Sequence, residues 1–249
     1  MTIAPSSIVP FVGRTGILRR LETMWSKGKL ILLQAPTGAG KSMLIAKLAE
    51  SRPILYAPRC GCLGDFIDDL EPQVRLQSEE LRIAPRVHRL AKALAKQGKP
   101  LIMDNVARVP PKVAHLVRVL MGTMPVWFVT RSSMPGELGH VWPYLFAFER
   151  IDLRPFTLEE TRAFLTAAPF SGDRDELLAA GLRLHRLSAG HPATLAAIVA
   201  ELGQRKYDLR TMEGLHLLAL HARITGVQTN LRAYNRIMAG GGPQRSNIT

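Results

Sequence analysis

KLILLQAPTGAGKSMLIAKLAE, residues 29 to 50, holds the stretch whose reading decides the fold. Residues 29–34 are a short aliphatic run bounded by polar residues, which reads as a buried strand. MLIAKLAE, from Met43, reads as a helix. Between them lies Ala35-Pro36-Thr37-Gly38-Ala39-Gly40-Lys41-Ser42. Gly38 and Gly40 permit backbone turns that aim successive N–H groups at an anion. The helix N-terminus adds its positive dipole end. A lysine followed by a hydroxyl supplies the cation for β- and γ-phosphates and an oxygen ligand for Mg²⁺. The unit therefore predicts a site for ATP and Mg²⁺ built from Pro36, Thr37, Gly38, Ala39, Gly40, Lys41, Ser42 and Met43. Such loops normally open with glycine, and here Ala35 stands in that place. It lies away from the phosphates and is tolerable if its φ is negative.

Four more apolar runs follow, at 53–58, 100–104, 125–130 and 150–153, with helical patterns between them. Strands alternating with helices predict an α/β fold, here a five-stranded parallel sheet covered on both faces. After residue 155 only helical patterns remain. Thr157 and Glu160 have capping-box spacing, 173–187 is amphipathic, Pro192 suits a first helical position, and a last helix spans roughly 209–223. The expected division is an α/β nucleotide-binding domain at 1–154, a small helical lid at 155–203, and a basic helix with an unstructured Gly-rich tail at 204–249.

KPLIMDNV ends its strand on Asp104. A carboxylate at the C-terminal tip of a buried strand stands where open α/β sheets bind ligands, so Ser42 and Asp104 are the expected Mg²⁺ ligands. The next residue is Asn105. An amide can orient a water molecule but cannot accept its proton, so this position offers no general base.

These motifs resemble the AAA+ P-loop ATPases, in the branch shared by the initiator (Orc-like), archaeal-type and STAND ATPases. FVGR at 11–14 is similar to the family's N-terminal motif beside the adenine, which implies nucleotide contacts for Val12, Gly13 and Arg14. VWFVTRSS resembles the sensor strand, with Thr130 and Arg131 near the γ-phosphate. SAGHPATLAAI resembles the lid turn, with Pro192 near the base. Arg150 stands near the place of the family's arginine finger. Many of the hydrolysing members carry a glutamate where Asn105 stands, so the resemblance implies an ATPase with slow basal hydrolysis, its catalytic residues being Lys41, Asp104, Asn105 and Arg131.

The charge sets the partner. The chain of 249 residues carries Lys+Arg 33 against Asp+Glu 20, a net +13, and a globular protein this basic usually meets a polyanion. Arg89, Lys92 and Lys96 share one face of the helix at 85–99, and Lys99 follows. Arg205, Lys206, Arg210, Arg223, Arg232, Arg236 and Arg245 crowd the C-terminal stretch. No base-reading motif accompanies them, so the expected ligand is the backbone of duplex DNA, bound with little sequence specificity. Compact, basic AAA+ chains of this size resemble the ATPase regulators of DNA transposition, the TnsC, TniB and MuB kind. That resemblance implies a homo-oligomer assembled on DNA in the ATP state and recruiting a transposase or similar partner. The alternative is a STAND-type signalling or scaffold ATPase that binds a protein and no DNA. Cys60 and Cys62 lack the four ligands of a structural zinc site and read as reduced thiols. No apolar run is long enough for a bilayer, and no signal-peptide pattern opens the chain, so no membrane partner and a cytoplasmic location are expected.

Overall fold

The computed structural model describes residues 10–76, 82–170 and 172–225. The chain falls into two compact units, Phe11–Arg154 and the residues from Pro155 onward, with Pro10 assigned to the second.

The first unit is built on β1 (Ile31–Gln34), β2 (Leu55–Ala57), β3 (Leu101–Met103), β4 (Val126–Thr130) and β5 (Glu149–Asp152). All ladders are parallel and the order is β2-β3-β4-β1-β5. The five runs read from sequence are these strands; four are shorter than read, and the fifth, read at 150–153, is shifted one residue to Glu149–Asp152. Burial on both faces explains why β1 to β4 are almost wholly apolar, while the edge strand β5 (ERID) buries only Ile151. Alternate residues feed two cores. Leu32, Leu101, Met103, Val126 and Phe128 pack under α3 (Leu63–Leu70), α4 (Ile83–Ala95) and α5 (Pro111–Met121), against Phe66, Leu90, Leu94 and Val117. Ile31, Leu33, Ile102, Trp127 and Val129 pack on the opposite face under α1 (Thr15–Ser26) and α2 (Lys41–Ser51), against Leu21, Leu44 and Leu48. Trp127 is 1% exposed and its indole N–H donates to the Lys29 carbonyl at 3.1 Å, so its polar tip is satisfied. A short helix, α6 (Pro135–Leu138), follows β4.

The second unit is helical. α7 (Leu158–Ala167) opens with the capping box: Glu160 N–H donates to Thr157 Oγ1 at 3.2 Å, and Thr157 N–H donates to Glu160 Oε2 at 2.8 Å. The amphipathic pattern at 173–187 is two helices, α8 (Arg174–Ala179) and α9 (Gly181–Ser188). Gly181 sits at the break, buried beside Leu165, and glycine disfavours a continuous helix by about 1 kcal/mol. α10 (Pro192–Leu202) has Pro192 as its first residue, and the His191 ring nitrogen accepts from Thr194 N–H at 3.4 Å as its cap.

The last described helix, 212–225, begins later than the pattern at 209–223 implies. It packs within the second unit and not as a separate segment. Glu201, 1% exposed, accepts from the Tyr207 hydroxyl at 2.8 Å and from Thr225 Oγ1 at 3.0 Å. The Tyr207 hydroxyl also lies 2.6 Å from His221 Nδ1. The Tyr207 hydrogen bond holds the Glu201 carboxyl below its ordinary range, against the opposing effect of burial. The Gly-rich tail lies outside the described residues.

Gly190 is a tight point of this unit. Its φ is +68°, and a Cβ placed there meets the Phe156 carbonyl oxygen at 2.3 Å. The left-handed conformation alone costs alanine about 1–2 kcal/mol, and the clash adds to it. Gly190→Ala should therefore lower the thermal midpoint of the helical unit by several degrees. A melting curve matching wild type would contradict this packing.

Candidate nucleotide site

The loop after β1 turns on Gly38 (φ +82°) and Gly40 (φ +89°). Gly40 is the N-cap of α2 and, having no side chain, offers no capping acceptor to the first N–H groups of that helix. Gly40 has open space around a placed Cβ, so its requirement is the backbone angle and not room. Ala35 is not among the residues with positive φ. It is 4% exposed and its methyl joins the core beneath the loop, while its N–H donates to the Thr130 carbonyl at 3.1 Å. An alanine here adds packing without obstructing the turn.

Lys41 is 9% exposed. Its ammonium donates to the carbonyls of Ala35 at 2.6 Å and Pro36 at 2.8 Å, folding the lysine across its own loop. Burial lowers its pKa, and the nearby Asp104 partly offsets that.

Asp104 is 1% exposed at the end of β3. Its Oδ2 accepts from Ser42 Oγ at 2.8 Å and from the Tyr56 hydroxyl at 2.7 Å, and its Oδ1 accepts from Asn105 N–H at 2.8 Å. The predicted pair Ser42–Asp104 is thus in contact across 62 residues of sequence. Two hard oxygens at this separation fit a small divalent cation such as Mg²⁺.

Tyr56 has no counterpart in the sequence reading. Burial first, then the charge of Asp104, raises its pKa, so it stays a hydrogen-bond donor to the carboxylate at all physiological pH. The signal was a lone tyrosine in the aliphatic run PILYAP, in register with Ile102, two residues before Asp104. Gln34, the last residue of β1, was also missed. Its Oε1 is buried and has no partner among the described residues.

Thr130 is buried at the tip of β4, with Oγ1 3.0 Å from the Val106 carbonyl and 2.8 Å from the Ser132 carbonyl. It thereby fixes the loop after Asp104. Arg131 is exposed and pairs with Glu137 at 3.5 Å. Asn105 is exposed and holds φ +51°, a conformation asparagine tolerates better than most residues.

Arg14 is 6% exposed. Its guanidinium donates to the Arg154 carbonyl at 2.7 Å and lies 3.5 Å from the Ala39 carbonyl, so it buttresses the loop from behind. Val12 is half-buried and Gly13 has φ +74°. Arg150 is exposed on β5, opposite Leu32 at the sheet edge. Pro192 belongs to the second unit.

α4 ends at Ala95, so Lys96 is its C-cap and not an interior residue. Arg89, Lys92 and Lys96 are exposed and Lys99 is half-buried. Of the C-terminal cations, Arg205 pairs with Glu201 at 3.4 Å, while Arg232, Arg236 and Arg245 lie outside the described residues. Cys60 and Cys62 are free thiols. Cys60 lies 3.7 Å from the carbonyls of Ala57 and Asp104, and burial pushes its thiol up to about 12.

The α/β fold with its five-stranded parallel sheet matches that of solved P-loop ATPases. A Walker-type ATPase of Pyrococcus abyssi superposes with TM-score 0.60 at 14% identity, over 95% of this chain and 80% of that one. The Orc1 protein of Aeropyrum pernix, solved in complex with DNA, gives TM-score 0.55 at 17% identity, over 87% of this chain and 67% of that one. A STAND protein with a tetratricopeptide repeat sensor, from Pyrococcus horikoshii, gives TM-score 0.50 at 18% identity; the match covers 87% of this chain and 34% of that longer one. No protein-family model matches the chain, and no curated protein matches it in sequence. Among the described residues no helix is long and apolar enough to cross a membrane.

Proposed function

We propose that the protein is an AAA+ ATPase switch. In its ATP state it assembles on duplex DNA with little sequence preference and recruits a protein partner such as a transposase. The observation that carries the ATP half is the contact between Ser42 and Asp104, 2.8 Å, at the end of a glycine loop that also holds Lys41. Lys41 exchanges its loop carbonyls for the β- and γ-phosphates, and Ser42 and Asp104 hold Mg²⁺. Held by Ser42 and Asp104, Mg²⁺ would supply charge neutralisation and Lewis-acid polarisation at the terminal phosphoryl group. Tyr56 keeps one carboxylate oxygen of Asp104 oriented, and Asn105 orients water without accepting its proton. Hydrolysis is therefore slow and the ATP state long-lived. Arg131 serves as the sensor after leaving Glu137, and Arg150 is the candidate finger toward a neighbouring copy.

The DNA half is supported by the net charge of +13 and by the likeness to an Orc1 protein solved with DNA. A signalling ATPase that binds only protein is the second reading, and the likeness to a STAND protein favours it. Electron microscopy with a non-hydrolysable ATP analogue separates the two. Ordered assemblies on duplex DNA of arbitrary sequence, absent without the analogue, are expected. Assemblies that ignore DNA, or none, support the signalling reading.

A further inference from the structure

A second row of cations lies beside the one read on α4. α5 packs on α4 over the same face of the sheet. Along α5, Lys112, His115 and Arg118 recur every third residue and are all exposed, while Val113, Leu116, Val117 and Leu120 are buried. On α4, Lys92 and Lys96 are exposed while Leu90 and Leu94 face the core.

Neither α4 nor α5 carries an acid of its own. Across residues 82–121 the only acid is Asp104, which is 1% exposed and belongs to the nucleotide site. Acids reach these helices only at the start of α4, where Arg86 pairs with Asp68 of α3 and with Glu71 just after it; off the two helices, Arg59 is paired likewise with Asp65 and Asp69. No ion pair among the described residues involves Lys92, Lys96, Lys112 or Arg118. A solvated surface ordinarily mixes both signs, and a single-sign field over two helices focuses anionic ligands.

We propose that α5 completes the DNA face: Lys112 and Arg118, together with Lys92 and Lys96, contact the phosphate backbone of duplex DNA. The proposal rests on the DNA-binding reading and extends it to an element the sequence did not single out. The geometry is that of a rigid double row. Cations three or four residues apart along a helix stand about 5–6 Å apart, and packed helices lie about 8–10 Å from axis to axis. A duplex offers about one phosphate per 1.7 Å of its axis, so both rows find acceptors. An anionic membrane fits less well. Its surface helices bury large apolar anchors, and the exposed large apolar side chains on α4 and α5 are only Ile83 and Val119.

The α5 row is also tied to the nucleotide. Pro111 follows the loop that leaves Asp104, where Arg108 holds φ +46° and donates its N–H to the Glu137 carbonyl at 2.6 Å. A change at Asp104 therefore has a short, pinned path to the start of α5.

The test is fluorescence anisotropy with a duplex of arbitrary sequence and a non-hydrolysable ATP analogue, over a salt series. Lys112→Ala with Arg118→Ala should make the log–log slope shallower by about 1.8, since each phosphate contact contributes about 0.9. The melting curve should stay unchanged, both residues being exposed. Arg19→Ala with Arg20→Ala, on α1 across the sheet, removes the same charge and should leave the slope alone. A wild type that binds with a steep slope shared by the α5 variant overturns the α5 face and leaves DNA binding standing. Equal loss in both double variants overturns it too, since net charge alone then acts. A wild type that ignores duplex DNA overturns both readings, and partition onto phosphatidylserine vesicles instead identifies a membrane as the polyanion.

Discussion

Lys41→Ala is expected to weaken ATP binding by roughly 30- to 5,000-fold. Removing one member of a buried charge pair costs about 2–5 kcal/mol, and every 1.4 kcal/mol is tenfold in affinity. Its stability should also change slightly. Lys41 is only 9% exposed and is bonded to the carbonyls of Ala35 and Pro36. Losing two hydrogen bonds worth about 1 kcal/mol each should lower the melting midpoint by about 4–8 °C for a chain of this size. Titration with a fluorescent ATP analogue, beside a melting curve, checks both effects. An unchanged affinity in a folded variant removes the site assignment.

Wild-type turnover should be below about 1 s⁻¹, under the ordinary enzyme range, because Asn105 cannot accept a proton. General-base help contributes about 10²- to 10⁴-fold, so a carboxylate at 105 should raise turnover toward that factor. The backbone decides which carboxylate is the fair test. Asn105 holds φ +51°, where a longer side chain costs about 1–2 kcal/mol, and aspartate shares asparagine's tolerance. Asn105→Asp should therefore fold as wild type does, and Asn105→Glu should reach further at a cost in stability. Steady-state rates of all three proteins decide it. A fast wild type contradicts the slow switch, and no gain in either variant places the base elsewhere.

The sheet was legible because its information is local. Each strand is a short aliphatic run closed by proline, glycine or a polar residue, and the phosphate loop sits between one such run and a helix. The Thr157–Glu160 capping box was legible for the same reason. What escaped depends on distant contacts. The Tyr56–Asp104 bond joins positions 48 residues apart, and Arg14 reaches the Arg154 carbonyl across 140. The break at Gly181 escaped because the apolar spacing runs through it unaltered. The last helix read as a separate basic piece because its anchor, a buried glutamate at 201 held by Tyr207 and Thr225, has no local sequence mark. The α5 cations were passed over because three positions among apolar residues read as an ordinary solvated stripe. Only the packing of α5 on α4 makes them one surface.

The central claim is that ATP at the Lys41–Asp104 site controls contact with DNA. The most direct measurement is the affinity of the purified protein for duplex DNA of arbitrary sequence, with a non-hydrolysable ATP analogue and without nucleotide, at fixed ionic strength. The expected result is tighter binding with the analogue, and a loss of that difference in Lys41→Ala. Equal affinity with and without nucleotide, or no binding in either state, contradicts the claim.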